Sequence, residues 1–255
     1  MNAESHIQVK DLTMAYGSRV IMKDLSFEVQ RGKVTAIVGG SGCGKSTLLR
    51  HMIGLLEPAK GEILYNGKSF TNAGTAERAE MLRRFGVTYQ QGALWSSMTL
   101  AENVALPMEQ HTRLPPADVR RIVELKLALV GLAGFEDYAP ADISGGMRKR
   151  AALARALALD PEVLFFDEPS AGLDPVSSKR LDDLILQVCA STGATVIIVT
   201  HELPSIFSIV DKALFLDAQT RTLAAEGHPK DLRDNPPSES IRRFFCRDAE
   251  AQDKA

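Results

Sequence analysis

The sequence predicts an α/β fold in which a strand-rich core, with an antiparallel β subdomain, is interrupted by an inserted all-helical subdomain. Apolar residues alternate with polar ones before residue 30, whereas residues 34–38 are almost wholly apolar. Alternation is typical of half-buried antiparallel strands, and a continuous apolar run is typical of a strand buried on both faces. Strand signals fade near residue 92 and return at residues 163–166. Residues 92–156 are therefore predicted to form the helical insert.

The first third of the chain contains the predicted β subdomain. The alternating apolar positions are Ile7, Val9, Leu25, Phe27 and Val29. Asn66-Gly67 lies inside residues 61–70 and is a strong signal for a two-residue hairpin turn. A helix is predicted at residues 46–56, directly after a glycine-rich loop.

Helices dominate the insert, and strands return after it. The predicted helices of the insert are residues 102–111, 116–130 and 146–159. The later elements are strands at residues 163–166, 195–200 and 213–216, with a helix at residues 176–190. Ser238 is predicted to cap a short helix that carries Ile241, Phe244 and Phe245.

These elements predict one domain and a tail. The domain spans residues 1–235, with a core at 1–91 and 157–235 and the helical insert at 92–156. Residues 236–255 form a C-terminal tail with the short helix, and its polar end, residues 247–255, is expected to be mobile.

Composition excludes several classes of protein. Hydrophobic residues make up 45% of the 255 residues and charged residues 24%, as in ordinary globular proteins. The net charge of -2 gives no electrostatic reason to expect nucleic acid as a partner. The three cysteines are far apart and form neither a disulfide framework nor a zinc pattern. No apolar run approaches the roughly 18 residues that span a bilayer, so a membrane function would need another chain to do the spanning.

A glycine-rich loop carries the strongest chemical signal. Its residues are Gly39, Gly40, Ser41, Gly42, Cys43, Gly44, Lys45, Ser46 and Thr47, which fit G-x-x-x-x-G-K-[ST]. Such a loop points backbone N–H groups at phosphate oxygens, and the following helix adds its positive end. Lys45 would reach the β- and γ-phosphates, and the Ser46 hydroxyl would bind Mg²⁺. A glycine-rich turn could match by chance, but the strand before it and the helix after it disfavour that alternative. Cys43 is interpreted as a small residue at a free position.

Two carboxylates follow the second apolar strand. Asp167 would hold Mg²⁺, and Glu168 would orient or deprotonate the attacking water. An acidic pair after an apolar run is more often a solvated strand end, but a phosphate-binding loop earlier in the chain favours the functional interpretation. His201 follows residues 195–200, where an imidazole can stabilise developing phosphate charge, although a lone histidine there is usually structural.

Ser144, Gly145 and Gly146 open a helix rich in alanine, arginine and lysine. Ser144 can cap this helix, and the glycines permit close approach of a ligand. By itself the pattern indicates only a capped helix, and the basic run 148–150 indicates a solvated face. A second helix start that can bind phosphate is needed only if a second polypeptide completes the nucleotide site.

With these elements in this order, residues 6–230 resemble the nucleotide-binding subunit of ABC transporters. Residues 39–47 match the Walker A motif and residues 163–168 the Walker B motif, while 144–147 match the signature motif and 170–174 the D-loop. His201 matches the switch histidine, and Tyr16 matches the aromatic residue that stacks on adenine, with an ordinary strand tyrosine as the alternative. Gln90, rather than Gln91, matches the Q-loop glutamine, because Tyr89 precedes it and Ala93-Leu94-Trp95 follows.

One departure narrows the resemblance. Met147 stands where the family usually has glutamine, and methionine cannot donate that residue's hydrogen bonds. The run from Ser144 through the basic helix looks like the ATPases that pair with MCE lipid-transport systems, the Mla phospholipid-transport (toluene tolerance) ATPases above all. The tail after Pro236-Pro237 is also similar to that branch, in which it packs on the partner subunit.

The resemblance implies a P-loop NTPase (RecA-like) core that hydrolyses ATP with Mg²⁺ as a homodimer enclosing two ATP molecules. Glu168, His201 and Gln90 would be catalytic, and Ser46, Gln90 and Asp167 would hold the metal. The implied partners are a second copy, a transmembrane permease and an MCE-type lipid-binding protein, at the cytoplasmic face of the inner membrane. The alternatives are an ABC ATPase for another transported substrate, a soluble ABC-type ATPase without a transporter, or an unrelated P-loop kinase or GTPase, in which residues 144–146 and His201 would have no role.

Overall fold

Residues 4–246 are the part of the chain that the computed structural model describes. Within them, residues up to Arg78 and from Ile197 onward form one compact unit, called the terminal unit below. Ala79–Val196 form the other, called the central unit. Across residues 4–246, no helix is long and apolar enough to cross a membrane.

An antiparallel sheet in the terminal unit confirms the predicted β subdomain. Its strands, in spatial order, are β2 (Arg19–Gln30), β1 (Ser5–Tyr16), β4 (Lys60–Tyr65) and β5 (Lys68–Ser69). The alternating apolar residues of β1 and β2 are buried. Asn66 and Gly67 both have positive φ, 51° and 74°, which a two-residue type I′ hairpin turn requires.

A second set of strands in the terminal unit carries the glycine-rich loop. β3 (Val34–Gly39) is buried along its whole length and pairs in parallel with β9 (Lys212–Asp217). β9 pairs in turn with β10 (Thr222–Gly227), antiparallel. The loop leaves the end of β3 and leads into α1 (Lys45–Met52). α1 ends four residues before the predicted limit because the chain turns at Gly54, where φ is 76°.

Three further helices of the terminal unit follow β8 in the chain. They are α7 (Leu203–Ile209), α8 (Pro229–Asp234) and α9 (Glu239–Phe245). Ser238 caps α9 as predicted, accepting from the Ile241 N–H. The Phe244 and Phe245 rings lie 5.4 and 6.5 Å from that of Phe215 on β9. The apolar face of α9 is therefore buried in its own chain. Packing of the tail on a partner subunit stays a prediction. The expectation for residues 247–255 lies outside the described residues.

The central unit combines helices with two parallel strands. Its strands are β6 (Phe85–Thr88) and β7 (Val163–Asp167), and its helices are α3 (Leu100–His111), α4 (Pro116–Leu129), α5 (Gly145–Ala156) and α6 (Pro175–Thr192). β8 (Thr195–Val199) begins in this unit and ends in the terminal unit, and α2 (Thr75–Leu82), which the sequence did not predict, also crosses the boundary. At Gly86 on β6 an added Cβ would lie 2.4 Å from the Ala156 carbonyl oxygen, so glycine permits α5 to approach β6.

The unit boundaries differ from the predicted division of the chain. The prediction separated a helical insert, residues 92–156, from a core at 1–91 and 157–235. The central unit holds that helical segment together with β6, β7 and α6, because β6 pairs with β7 and α5 packs against β6. The division of residues 1–235 into core and insert stays a prediction.

A buried histidine in α1 predicts a pH-dependent loss of stability. His51 is 2% exposed, and its Nδ1 lies 3.0 Å from the Leu56 carbonyl oxygen, to which it must donate. Burial lowers the pKa of His51, and the hydrogen bond to Leu56 opposes this only in part. The unfolded chain therefore takes up a proton at higher pH than the folded chain, so the free energy of unfolding falls as pH drops below about 6.5, by at most ~1.4 kcal/mol per pH unit.

His51→Asn keeps a donor near the Leu56 carbonyl and removes the titration. Urea unfolding at pH 7, 6 and 5 should show a smaller loss of stability for this variant than for the parent chain. Equal losses in both proteins would assign the acid sensitivity to other groups.

Candidate functional site

The glycine-rich loop needs glycine for its backbone shape. Gly39, Gly42 and Gly44 have φ of 146°, 73° and 100°, where side chains are disfavoured. At Gly39 an added Cβ would also lie 2.4 Å from the Leu216 carbonyl oxygen of β9. Both the backbone conformation and the close packing therefore require glycine in this loop. A glycine-rich turn that matched the motif by chance would not need glycine for both reasons.

Lys45 and the start of α1 make this loop attractive to anions. The Lys45 Nζ donates to the carbonyl oxygens of Gly39 and Gly40 at 3.1 and 3.0 Å, which holds the ammonium over the loop. Gly44 caps α1 without a side-chain hydrogen bond, and the first turn has no acidic residue. Ser46 and Thr47 are half-buried in that turn. A positive helix end beside an ammonium group is the arrangement that binds phosphate.

Cys43 is not at a free position, which corrects its interpretation from the sequence. Its side chain is 2% exposed, and an added Cβ on Gly39 would lie 2.8 Å from the Cys43 Sγ. The sulfur lies 4.0 Å from the Lys45 Nζ. Burial raises the pKa of the Cys43 thiol, and the Lys45 ammonium only partly offsets this. A larger side chain at this position would disturb the loop.

Tyr16 and His201 belong to the same unit as the loop. Tyr16 ends β1 with 47% of its surface exposed. Two residues earlier on β1, Met14 packs near the loop, since an added Cβ on Gly44 would lie 3.5 Å from its Cε. The Thr200 N–H donates to the Ile37 carbonyl oxygen at 3.4 Å. The exposed His201 therefore lies beside the end of β3 from which the loop leaves.

In the central unit, two carboxylates lie at the carboxyl end of β7. Residues 163–166 are buried, and Asp167 and Glu168 are partly exposed where the strand ends. Glu168 has φ of 50°, in the left-handed region that costs a non-glycine residue about 1–3 kcal/mol. Such strain persists where the surroundings hold it, and it is typical of functional positions.

The Q-loop candidate lies in the turn after β6. Gln90 is exposed there. Two and three residues after Gln90, Gly92 and Ala93 have positive φ of 78° and 49°. The Arg155 guanidinium of α5 donates to both of their carbonyl oxygens, at 2.9 and 2.6 Å. The loop that follows Gln90 is thus tied to α5, which the sequence did not reveal.

Asn103 on α3 holds the other end of that loop. Its side chain is fully buried, and its Oδ1 accepts from the Trp95 N–H at 2.8 Å. Its Nδ2 donates to the carbonyl oxygens of Trp95, Met98 and Thr99. A fully buried asparagine that satisfies several backbone groups is costly to replace. Trp95 itself is 58% exposed, so the clamped loop presents a large aromatic ring on the surface.

The signature candidate begins α5 as predicted. Ser144 is its N-cap, and the Ser144 Oγ accepts from the Met147 N–H at 3.2 Å. Gly145 is exposed and Gly146 half-buried, and the first turn has no acidic residue. The start of this 12-residue helix therefore offers backbone N–H groups to an anion from outside the chain.

The basic run on α5 is not the solvated face that the sequence indicated. The Lys149 Nζ donates to the Ala171 carbonyl oxygen at 2.5 Å, and Arg150 donates to the carbonyl oxygens of Val130 and Gly131. Burial lowers the pKa of Lys149, and the Glu168 carboxylate opposes that shift. The sequence does not indicate the contact of Lys149, because Ala171 lies 22 residues further along the chain.

The site residues fall in the two units. The terminal unit holds Tyr16, residues 39–47 and His201; the central unit holds Gln90, residues 144–146, Asp167 and Glu168. Within each unit these residues lie at strand ends or helix starts, where backbone groups and side chains are open to a ligand.

Comparisons with known proteins agree on a family. A family model described as ABC transporter matches residues 22–171. The MlaF protein of Haemophilus influenzae, named an intermembrane phospholipid transport system ATP-binding protein, is 42% identical over 226 residues, 89% of this chain and 85% of that protein. Its namesake in Escherichia coli K12 is 38% identical over 239 residues, 94% and 88% of the two chains. The mkl protein of Mycobacterium leprae, named a probable ribonucleotide transport ATP-binding protein, is 47% identical over 195 residues, 76% of this chain and 56% of that one.

Solved structures match the fold over nearly the whole chain. The ATP-binding cassette MJ0796, described as a dimeric post-hydrolysis state bound to ADP and Pi, has a TM-score of 0.79 and 26% identity, covering 87% of this chain and 98% of that one. CbiO1 from Clostridium perfringens, part of the ABC transporter complex cbiONQ, has a TM-score of 0.83 and 28% identity, with coverages of 97% and 98%. The predicted α/β fold with a P-loop NTPase core is confirmed.

Proposed function

Since the chain belongs to the ABC transporter family, we propose that it is the ATP-hydrolysing subunit of a complex that transports phospholipid between the inner and outer membranes. The observation that carries the phospholipid assignment is the 42% identity to the Haemophilus influenzae phospholipid-transport protein across 89% of this chain. Met147, in place of the usual signature glutamine, supports the same branch.

The nucleotide would be held first by the terminal unit. Tyr16 would stack on the adenine ring, and the loop N–H groups of residues 39–47 would surround the phosphates. Lys45 has two N–H donors on loop carbonyls, and turning them toward the β- and γ-phosphates would replace neutral acceptors with charged ones. His201 would donate a hydrogen bond to charge that develops on the γ-phosphate.

Mg²⁺ fits the donor atoms that are present. Ser46 supplies a hydroxyl, Gln90 an amide oxygen and Asp167 a carboxylate, and Mg²⁺ prefers oxygen ligands and keeps several waters. No cluster of three or more His, Cys, Asp or Glu side chains that could hold a metal occurs between residues 4 and 246. That absence suits a cation held by one carboxylate together with neutral oxygens and phosphates. When bound, the cation would neutralise phosphate charge, while Glu168 would orient the attacking water and accept its proton.

A second copy of the chain would complete the site. The start of α5 has open N–H groups and no acidic residue in its first turn. Ser144, Gly145 and Gly146 of one copy would close over the γ-phosphate bound by the other. The dimeric MJ0796 structures support a homodimer. ATP would then favour the closed dimer by binding it more tightly than the open one.

A permease would dock on the central unit. A groove of about 1460 Å³ lies along α3 and α4, and Ser97 of the clamped loop is among its lining residues. Three of its carboxylates are Glu102, Glu109 and Glu124, so a basic helix of the permease would complement it. Through that permease the chain would lie at the cytoplasmic face of the inner membrane and work with an MCE-type lipid-binding protein.

Reconstitution tests the proposal. The chain would be co-expressed with a candidate permease from the same organism, placed in vesicles, and assayed for ATP-dependent transfer of labelled phospholipid. Transfer that depends on ATP and stops in Glu168→Gln supports the function. The mkl relatives make ribonucleotide the second candidate cargo. Transfer of ribonucleotide without transfer of phospholipid would favour it, and failure to co-purify with any membrane protein would favour a soluble ATPase.

A further inference from the structure

Lys149 connects α5 to the loop that follows β7. It lies five residues after Ser144 on α5, and its Nζ donates to the Ala171 carbonyl oxygen at 2.5 Å. Three residues earlier in that loop, Glu168 lies close enough for its charge to act on the Lys149 ammonium. One side chain therefore links the start of α5 to the segment that bears the carboxylate.

The loop from Glu168 to Asp174 also carries hydrogen bonds of its own, including one from the Leu173 N–H to the Ser170 carbonyl oxygen at 3.0 Å. The Ala171 N–H donates to the Glu168 carbonyl oxygen at 3.2 Å, and the Asp174 side chain caps α6. Glu168 itself is held at a φ of 50° that its side chain disfavours. A hydrogen bond from a charged donor is worth about 1.5–3 kcal/mol, comparable with the cost of such strain.

Lys149 also borders β6. With Thr88, Tyr89 and Pro169 it lines a small space of about 10 Å³, roughly the lower limit for one water molecule. The Thr88 Oγ1 is buried and, among the described residues, has no hydrogen-bond partner. Thr88 ends β6 two residues before Gln90. Lys149 thus lies where α5, the strand before Gln90 and the loop after Glu168 converge.

We propose that Lys149 is a positioning residue for ATP hydrolysis, whose ammonium holds the loop after β7 so that Glu168 points at the attacking water. The inference rests on the proposed role of Glu168 as base. Lys149 lies about one and a half helical turns after Ser144 on α5. A movement of the start of α5 when it contacts a nucleotide would therefore displace the loop after β7. Contact between the start of α5 and a nucleotide would thereby change the position of the Glu168 carboxylate in the same chain.

The test compares variants that change this contact to different degrees. Lys149→Met should lower kcat for ATP hydrolysis by about 10- to 100-fold, the range that a misplacement near 1 Å produces. The KM for ATP should change less than about twofold, since Lys149 touches no nucleotide. Lys149→Arg keeps charge and donors and should recover most of kcat. Lys149→Gln keeps a neutral donor, so its kcat should fall between those of the methionine and arginine variants. It replaces Lys149→Met in the test if the methionine variant does not fold.

Lys126→Met is the matched control. Lys126 is also a mostly buried lysine of the central unit, paired with Asp160 at 2.5 Å on the C-terminal side of α5. Its loss should lower the melting temperature and leave kcat per folded molecule unchanged. A melting curve for every variant separates stability from catalysis.

A double variant separates this inference from the proposed function. In a Glu168→Gln background, Lys149→Met should lower kcat no further, because Lys149 acts through Glu168. An unchanged kcat in folded Lys149→Met, a loss that merely parallels the Lys126→Met loss, or an effect on KM alone would overturn the positioning role. Full activity of Glu168→Gln would instead overturn the assignment of the base.

Discussion

Glu168→Gln should reduce the kcat for ATP hydrolysis by about 10²- to 10⁴-fold, the usual contribution of a general base, while ATP affinity stays within about twofold. The amide keeps the size and hydrogen-bonding reach of the carboxylate but cannot take the proton of the attacking water. The position supports the expectation, because Glu168 directly follows a buried strand and has a strained backbone conformation that orients its side chain. ATP should then accumulate unhydrolysed, so the variant should elute as an ATP-dependent dimer in size-exclusion chromatography.

Glu162→Gln is the control for that variant. Glu162 directly precedes the same strand and forms a 2.9 Å ion pair with Arg84, far from the strand's carboxyl end. Its replacement should leave kcat unchanged. Phosphate release under saturating ATP measures the kcat of both variants and of the parent chain. Hydrolysis by Glu168→Gln at the parent rate would show that another group activates the water.

Lys45→Ala should weaken ATP binding by about 30-fold or more, corresponding to the ~2 kcal/mol or more that loss of one partner of a desolvated charge pair costs. The ammonium is placed over the loop by its contacts with the Gly39 and Gly40 carbonyl oxygens. Without it, the phosphates would keep the backbone N–H groups and the helix end but lose their nearest full positive charge. Calorimetric titration with a non-hydrolysable ATP analogue measures the change.

Lys33→Ala controls for the loss of a lysine in the same unit. Lys33 immediately precedes β3 and forms an exposed ion pair with Asp211 at 3.3 Å. Because exposed pairs contribute about 1 kcal/mol or less, this variant should bind nucleotide like the parent chain. If Lys45→Ala binds the analogue as tightly as Lys33→Ala does, the loop is not the principal phosphate site.

Much of the candidate site could be predicted because its residues are close together in the chain. The loop at residues 39–47 is one contiguous motif between a strand and a helix, and the cap at Ser144 depends on residues within one turn. Glu168 and His201 could be proposed because they directly follow apolar strands. Local pattern and local chemistry were sufficient in each case.

The missed residues act across long separations. Arg155 holds the carbonyl oxygens of Gly92 and Ala93, some 60 residues earlier, and Lys149 reaches Ala171. On the sequence, Lys149 belongs to the basic run 148–150, which indicates a solvated face, and Arg155 lies further along the same alanine-rich helix. The interpretation of Cys43 was wrong for a different reason: its burial depends on how the loop folds back toward Gly39, which the residue types in the loop do not specify.

By itself the sequence determined the α/β class, the phosphate-binding loop and the family, because each depends on the order and type of residues along the chain. Only the tertiary structure decided that Glu168 is held in a strained conformation, that Lys149 is directed to its loop, and that the apolar face of α9 is buried on β9. These features arise from packing between distant segments. Burial there turns an ordinary charged or aromatic side chain into a specific contact, and no local pattern encodes which segments will meet.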